Sequence, residues 1–465
     1  MKKKIKRLVS CVVTVCLTAV FLSALTNLTE RKASDQKYAD FFSQKADFDV
    51  LFMGTSHVLN AVFPMELWHD YGIVSYNFGG HGNEVATTYW VMENALEQTT
   101  PKVVVIDCLA VEKQQKSSEV FSFLHLSLDA FPLNLTKIKA VWDLLDDPVT
   151  EQRIAEGKAV KSKSSEPRTK IGLLWDFAVY HSRWNDLGRE DFVPAPSLEK
   201  GAESRIAVAR GKLDRIPRDQ KMKPGTTGER YLRKMIEDCQ RRGIDVILTY
   251  LPFPAEKYRQ KTANYIYDVA EEYGVDYLNF LDLDVIDYQT DLYDEASHLN
   301  PSGARKITDY FGHWLTEHYG IPDRREDAEY ASWHGDYDQY AAMKNRNLTE
   351  RKDLYEYLML LKGDDLEIRM DIRNGDLFRD EWILDQLANL GVDRDSLSPE
   401  TSSISIRNRG RDVEIKGLAE SGPSEEDGAD LQIDVWRGED QIDSARFSYG
   451  YDPETRHIAV SSVER

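Results

Sequence analysis

Three short apolar runs, each ending in small or polar residues, constrain this chain more than any other feature. Residues 48–53 (Phe-Asp-Val-Leu-Phe-Met) run into Gly54-Thr55-Ser56-His57. Residues 73–78 run into the glycine-rich stretch 79–83, and residues 103–107 follow Pro101. Runs of this length, bounded by turn residues, read as buried strands. Between the second and third lies a helical stretch over about 85–96. The pattern resumes after residue 228, with a helix over 229–241 stopped by Gly243, a strand over 244–250, a helix over 256–273 and a short strand over 275–280. Strands alternating with helices at this spacing predict a parallel sheet with helices on both faces. In such a sheet the ligand crevice lies at the carboxyl ends of the strands, where Ser56 and the 79–83 turn both fall.

The N-terminus makes a second strong statement. Lys2, Lys3, Lys4, Lys6 and Arg7 precede an uncharged stretch from Leu8 to Leu25. As a helix its 18 residues reach roughly 27 Å, close to the apolar thickness of a bilayer. The basic flank stays cytoplasmic and the rest of the chain is exported, which predicts a single-pass membrane protein with its bulk outside the cytoplasm. A cleaved signal peptide is the competing reading: Ser23, Ala24 and Thr26 are small, but no A-x-A site is formed. The formal charge of −20 over 465 residues excludes nucleic acid as a partner, because phosphate binding needs a basic face. The four cysteines, Cys11, Cys16, Cys108 and Cys239, show no metal-ligand spacing. Cys108 and Cys239 read as buried thiols, and no cofactor is expected.

Residues 110–225 are less regular. A helix is expected around 138–146, a serine-rich charged loop over 158–170 and a polar stretch over 197–224, together an insertion decorating the core. A helix over 302–319 closes this unit. The boundaries drawn are 1–32 for the basic flank and anchor, 33–322 for the α/β domain, 323–353 for a charged, tyrosine-rich connecting helix or linker, and 354–465 for a smaller α/β or β-rich module. In the last part Leu366, Ile368, Met370 and Ile372 alternate with polar residues, as do Leu431, Ile433 and Val435, the pattern of half-buried strands. The acidic run 425–427 reads as a solvated loop. The hexapeptide Asn-Leu-Thr-Glu-Arg-Lys, starting at Asn27 and again at Asn347, fits a helix N-cap with a glutamate three residues on.

The chemistry-bearing residues assemble around Ser56. A serine hydroxyl needs a base for its proton, a group to orient that base, and donors for the oxyanion. His298 lies in residues 294–300 (Asp-Glu-Ala-Ser-His-Leu-Asn), just before a helix. A carboxylate a few residues earlier on the same loop can bond its Nδ1–H. The glycines of 79–82 can bring backbone N–H groups near a substrate oxygen. His57 is read as a packing or substrate-side residue, because adjacent side chains point apart.

Residues 54–56, 77–83 and 294–298, in this order, resemble the three strongest blocks of the SGNH (GDSL-like) hydrolase family, over residues 48–315. The resemblance implies a three-layer, flavodoxin-like fold, Ser56 as nucleophile, His298 as base and an oxyanion hole of Ser56, Gly82 and Asn83. The family's acid stands three residues before the histidine, which lands on Glu295. Asp294, four before, has the usual shorter side chain and is preferred, with Glu295 as the alternative. The family's third block carries an asparagine after the next strand. Here residues 107–110 (Asp-Cys-Leu-Ala) supply none, and Asn83 is the substitute on offer. Ser-His after the glycine and Ser-His-Leu-Asn near the end look like the exported, membrane-anchored bacterial members, which include D-alanyl transfer proteins of teichoic acid synthesis and polysaccharide O-acetylation proteins. By that resemblance the function is that of a serine esterase or O-acyltransferase acting on an ester of a cell-surface glycan. A non-catalytic glycan-binding or envelope-assembly protein that keeps the fold is the alternative. Residues 358–362 and 429–436 resemble the ILEI/PANDER-type domain, a module often placed with glycans.

Overall fold

The computed structural model describes residues 2–29, 38, 40–44, 47–156, 168–175, 177–192, 197–295, 298–417 and 429–465. The acidic run 425–427 and residues 158–167 of the expected 158–170 loop lie outside them, and Lys170, at the end of that loop, already opens the helix Lys170–Leu174. The first five strands, β1 (Val50–Gly54), β2 (Ser75–Gly79), β3 (Val103–Asp107), β4 (Asp245–Tyr250) and β5 (Asp276–Asn279), form one parallel sheet in the order β2-β1-β3-β4-β5. This is the order of a doubly wound α/β fold, and it reverses direction at β1 and β3. Side chains alternate between faces along each strand. Val50, Phe52, Val103 and Val105 pack with Ile307 and Phe311 of helix Pro301–Tyr319 on one side. Leu51, Met53, Val104 and Ile106 pack with Ala86 of helix Val85–Ala95 and Met235 of helix Thr227–Arg241 on the other. The expected doubly wound sheet with helices on both faces is therefore present.

The smaller C-terminal unit is a six-stranded antiparallel sheet in the order β11-β10-β9-β6-β7-β8. Its strands are β6 (Glu367–Ile372), β7 (Thr401–Arg407), β8 (Asp412–Gly417), β9 (Leu431–Arg437), β10 (Asp440–Asp452) and β11 (His457–Glu464). Helices Leu354–Leu360 and Glu381–Asn389 contribute Leu358, Ile383 and Leu387 to its own apolar core. Helix Ser332–Thr349 joins the two units: Trp333 and Tyr340 enter the first core, and Leu348 enters the second.

Among the described residues one apolar helix, Lys2–Thr29, is long enough to cross a bilayer over Lys4–Thr26. It ends in the first copy of the repeated hexapeptide, and helix Ser332–Thr349 ends in the second. The expectation of an N-cap at these two sites is overturned. In both places the upstream helix runs on through the asparagine and leucine, and the threonine hydroxyl donates back into the helix. Thr29 Oγ1 bonds the Leu25 carbonyl at 3.0 Å and Thr349 Oγ1 the Arg346 carbonyl at 3.1 Å. Cys108 and Cys239 are buried and unbonded to each other, whereas Cys11 and Cys16 are exposed on the apolar helix.

Candidate active site

Ser56 stands two residues beyond the end of β1 and opens the short helix Ser56–Ala61. Thr55 caps that helix in extended conformation, its Oγ1 accepting from the His57 amide at 3.1 Å. The helix presses onto β2: a Cβ on Gly79 would sit 2.2 Å from the Leu59 amide nitrogen, so only glycine allows this approach. Gly54 and Gly79 are register partners, which brings Ser56 and the 79–83 turn to the same edge.

His298 reaches this edge from a loop folded back on itself. Leu292 and Leu299 form an antiparallel bridge, the Tyr293 amide donates to the His298 carbonyl at 2.8 Å, and the Asn300 amide donates to the Asp291 carbonyl at 3.0 Å. Asn300 anchors the loop twice. Its Oδ1 caps the following helix at the Gly303 amide, and its Nδ2 donates to the carbonyls of Thr290 and Leu292. Buried Asp291 adds bonds from Ser302 Oγ at 2.7 Å and Lys306 Nζ at 2.6 Å.

The structure brings Ser56, His298 and Asp294 into one line. Ser56 Oγ lies 2.8 Å from His298 Nε2, and His298 Nδ1 lies 2.6 Å from Asp294 Oδ2. Asp294 Oδ1 also accepts from the His298 amide at 3.1 Å, fixing the carboxylate from a second side. A carboxylate accepts only, so the proton belongs on Nδ1, and Nε2 offers its lone pair to the serine hydroxyl. Glu295 is exposed, and it is Asp294 that faces the imidazole.

The expected oxyanion residues are placed differently from one another. Gly82 is exposed with φ +60°, and a Cβ there would lie 2.5 Å from the Phe123 ring. Asn83 is buried; its Oδ1 accepts from Ser127 Oγ at 2.6 Å, while its Nδ2 has no partner among the described residues. A buried amide donor without a partner is costly in a resting protein and is suited to a transient anion. The Gly80 amide is already used by the Gly54 carbonyl at 3.1 Å.

His57 packs beside the serine, as its reading as a packing residue expects, and the insertion adds neighbours that sequence reasoning missed. His57 packs edge-on to Phe253, with ring centroids 4.9 Å apart, and lies 5.5 Å from the His298 ring. Burial, aided by His298 and Arg259, pushes its pKa down to about 3, so it is neutral. At the rim, Glu203 bonds His81 Nε2 at 3.0 Å and Arg205 at 3.0 Å, and Arg205 lies over the Tyr293 ring. Glu203 and Arg205 come from the insertion, 147 and 149 positions beyond the serine, and no motif marks them. Among the described residues no group of three or more His, Cys, Asp or Glu side chains is placed to hold a metal ion.

Asp107, at the end of β3, was read only as a missing asparagine. It is 3% exposed and packs against Gly54, and its Oδ2 has no partner among the described residues. Burial pushes its pKa up to about 7 against weaker opposing bonds from the Leu251 and Leu109 amides, and burial likewise lifts Glu84 to about 7. An unfolded aspartate titrates near ~3.9. Between about pH 4 and pH 7 the folded chain therefore keeps a proton that the unfolded chain has released, and stability falls as pH rises through that window. His57 acts in the opposite sense, its contribution being lost as pH falls from ~6.5 towards 3. Asp107→Asn is expected to raise stability at pH 8 relative to pH 5, by up to about 2.7 kcal/mol, the two pH units between 5 and the folded pKa at about 1.36 kcal/mol each. Urea unfolding at the two pH values checks this, and an equal change at both would count against a buried, titrating Asp107.

Compared with known proteins, the chain matches no family model, and no curated protein aligns with it.

Proposed function

We propose that this protein is an exported, membrane-tethered serine esterase or O-acyltransferase of SGNH type that acts on an ester of a cell-surface glycan. The observation that carries the reading is the continuous hydrogen-bonded line from Ser56 through His298 to Asp294, set at the carboxyl edge of a doubly wound sheet. In this reading His298 Nε2 takes the hydroxyl proton as Ser56 Oγ attacks the ester carbonyl, and Asp294 holds the imidazolium that forms. The tetrahedral oxyanion is met by the Ser56 amide in the first turn of its helix and by the unpartnered Nδ2 of Asn83. His298 returns the proton to the departing alcohol oxygen, leaving an acyl-Ser56. A water or a second hydroxyl then gives its proton to His298 and takes the acyl group, which distinguishes hydrolysis from transfer only by the acceptor. The apolar helix Lys2–Thr29 with its basic flank supports tethering and export. The order of the blocks around residues 54–56, 77–83 and 294–298 supports the family and, through it, the glycan ester.

A fluorophosphonate probe tests the reading directly. The full chain in detergent is expected to label, and Ser56→Ala is expected not to label while keeping the same circular dichroism spectrum. A folded wild-type chain that does not react would overturn the enzyme and leave a glycan-binding or envelope-assembly protein.

A further inference from the structure

Large apolar side chains scattered singly on a surface need no explanation, but a concentration of them does. Outside the N-terminal helix the described residues include eleven exposed large apolar side chains, and nine of them lie between Leu133 and Phe192, within the insertion. Helix Leu135–Leu145 presents two apolar faces. Ala140, Val141 and Leu144 point into the core, while Leu135, Ile138 and Trp142, spaced three and four apart, form an exposed stripe. Leu135 is 73% exposed, and farther along the insertion Trp184 is 67% and Phe192 65% exposed.

This surface is continuous with the end of the apolar helix. Lys170 Nζ lies 4.9 Å from the Trp142 ring and begins helix Lys170–Leu174. Trp175 caps that helix, and its indole N–H donates to Thr26 Oγ1 at 3.3 Å. Arg183, in the 3-10 turn beside Trp184, donates to the Thr29 carbonyl at 2.7 Å. Thr26 is the last residue of the bilayer-length segment. Trp175 is thus bonded directly, Trp184 through its neighbour Arg183, and Trp142 through Lys170 and helix Lys170–Leu174, to the point where that helix emerges. Indole rings settle at this level of a bilayer, apolar body inward and N–H outward, and lysines such as Lys139 and Lys170 suit an anionic headgroup layer.

We infer that the apolar face of the insertion, carried by Leu135, Ile138, Trp142, Trp175, Trp184 and Phe192, lies in the outer surface of the membrane that holds the N-terminal helix. The bilayer is the occupant, and the inference rests on the proposal that this helix spans it. The consequence reaches the candidate active site, because the same insertion lays Phe123 against Gly82 and bonds Ser127 to Asn83. The oxyanion corner is then held from the membrane side, and Ser56 works close to the headgroups.

The test uses the full chain carrying Cys11→Ser and Cys16→Ser, reconstituted alone in vesicles of phosphatidylethanolamine and phosphatidylglycerol. Nitroxide labels are placed singly through Phe21→Cys, Leu135→Cys, Trp142→Cys, Trp184→Cys and, as a water-facing control in the β10–β11 turn, Glu454→Cys. The ratio of oxygen to nickel-chelate collision is expected to be several-fold higher at 21, 135, 142 and 184 than at 454. Labels at 135, 142 and 184 as open to nickel as 454, with 21 in lipid, would overturn the docking and leave the anchor standing. A label at 21 open to nickel would sink the spanning helix and with it the basis of the docking. Patch labels shielded from both probes would mean a second copy of the chain seated there, and would overturn the lipid assignment. Patch labels open to nickel in these vesicles but shielded from both probes in native membranes would assign the surface to a protein partner instead.

Discussion

Asp294→Asn is expected to lower esterase turnover roughly ten-thousand-fold, the scale on which a triad carboxylate acts when its loss reverses the imidazole tautomer. The physical reason is specific to the contact. Asp294 Oδ2 accepts the Nδ1 proton at 2.6 Å, leaving Nε2 unprotonated towards Ser56 at 2.8 Å. An asparagine amide turned to Nδ1 would donate instead, force the proton onto Nε2 and remove the base. His298→Ala should cost at least as much, since nucleophile and base act as a unit. Glu295→Gln should leave turnover within about twofold, because an exposed charge near a site acts weakly through water. Hydrolysis of p-nitrophenyl acetate by the full chain, read with the fluorophosphonate labelling rate, checks all three. If Glu295→Gln were the damaging change and Asp294→Asn the silent one, the loop would work in a different geometry from the one seen.

That ambiguity shows where the sequence stops being legible. The strand ends were readable because Gly54, Gly79 and the apolar runs before them leave few alternatives: where a Cβ would fall 2.2 Å from the backbone of the packed helix, the strand can carry only glycine. The histidine loop was readable as a place but not as a conformation. Asp294 and Glu295 are adjacent, and the bridge between Leu292 and Leu299, which decides which of them turns inward, leaves no local pattern. The β10–β11 hairpin was not anticipated. Over Asp440–Asp452, Asp443 and Ala445 occupy inward positions beside Phe447 and Tyr449, so the apolar alternation is diluted. The insertion was opaque because its helices carry apolar residues on two faces. Asp107 was legible as a residue and not as a chemical group, since its raised pKa comes from burial beside Gly54 rather than from any neighbour in sequence.

The largest expected loss of stability lies away from the serine, where the two units meet. Arg305, 7% exposed on helix Pro301–Tyr319, pairs with Glu66 and Asp70 of helix Pro64–Tyr71. Glu66 also accepts from Tyr340 at 3.0 Å and Lys344 at 2.6 Å on the connecting helix. Lys344 and Arg437 both pair with Asp364 of the C-terminal unit, and Arg409 of that unit pairs with Asp70 at 2.9 Å. Burial pushes the Asp364 carboxyl up, but Lys344 and Arg305 outweigh it and hold the pKa at about 2. Its contribution is therefore complete above ~4 and lost only as pH falls towards 2. Arg305→Met removes the cation between buried Glu66 and half-buried Asp70 and is expected to destabilise the chain by about 3–5 kcal/mol, because the uncompensated charges remain. Removing the acid as well, in Arg305→Met with Glu66→Met, should recover a large part of that loss by replacing a buried pair with packed apolar surface. Thermal unfolding of the full chain in detergent at pH 7 measures both variants. A double variant no more stable than Arg305→Met would show that the network acts through Asp70 and Arg409 rather than through Glu66. An unchanged single variant would mean that the two units are held by apolar contact alone.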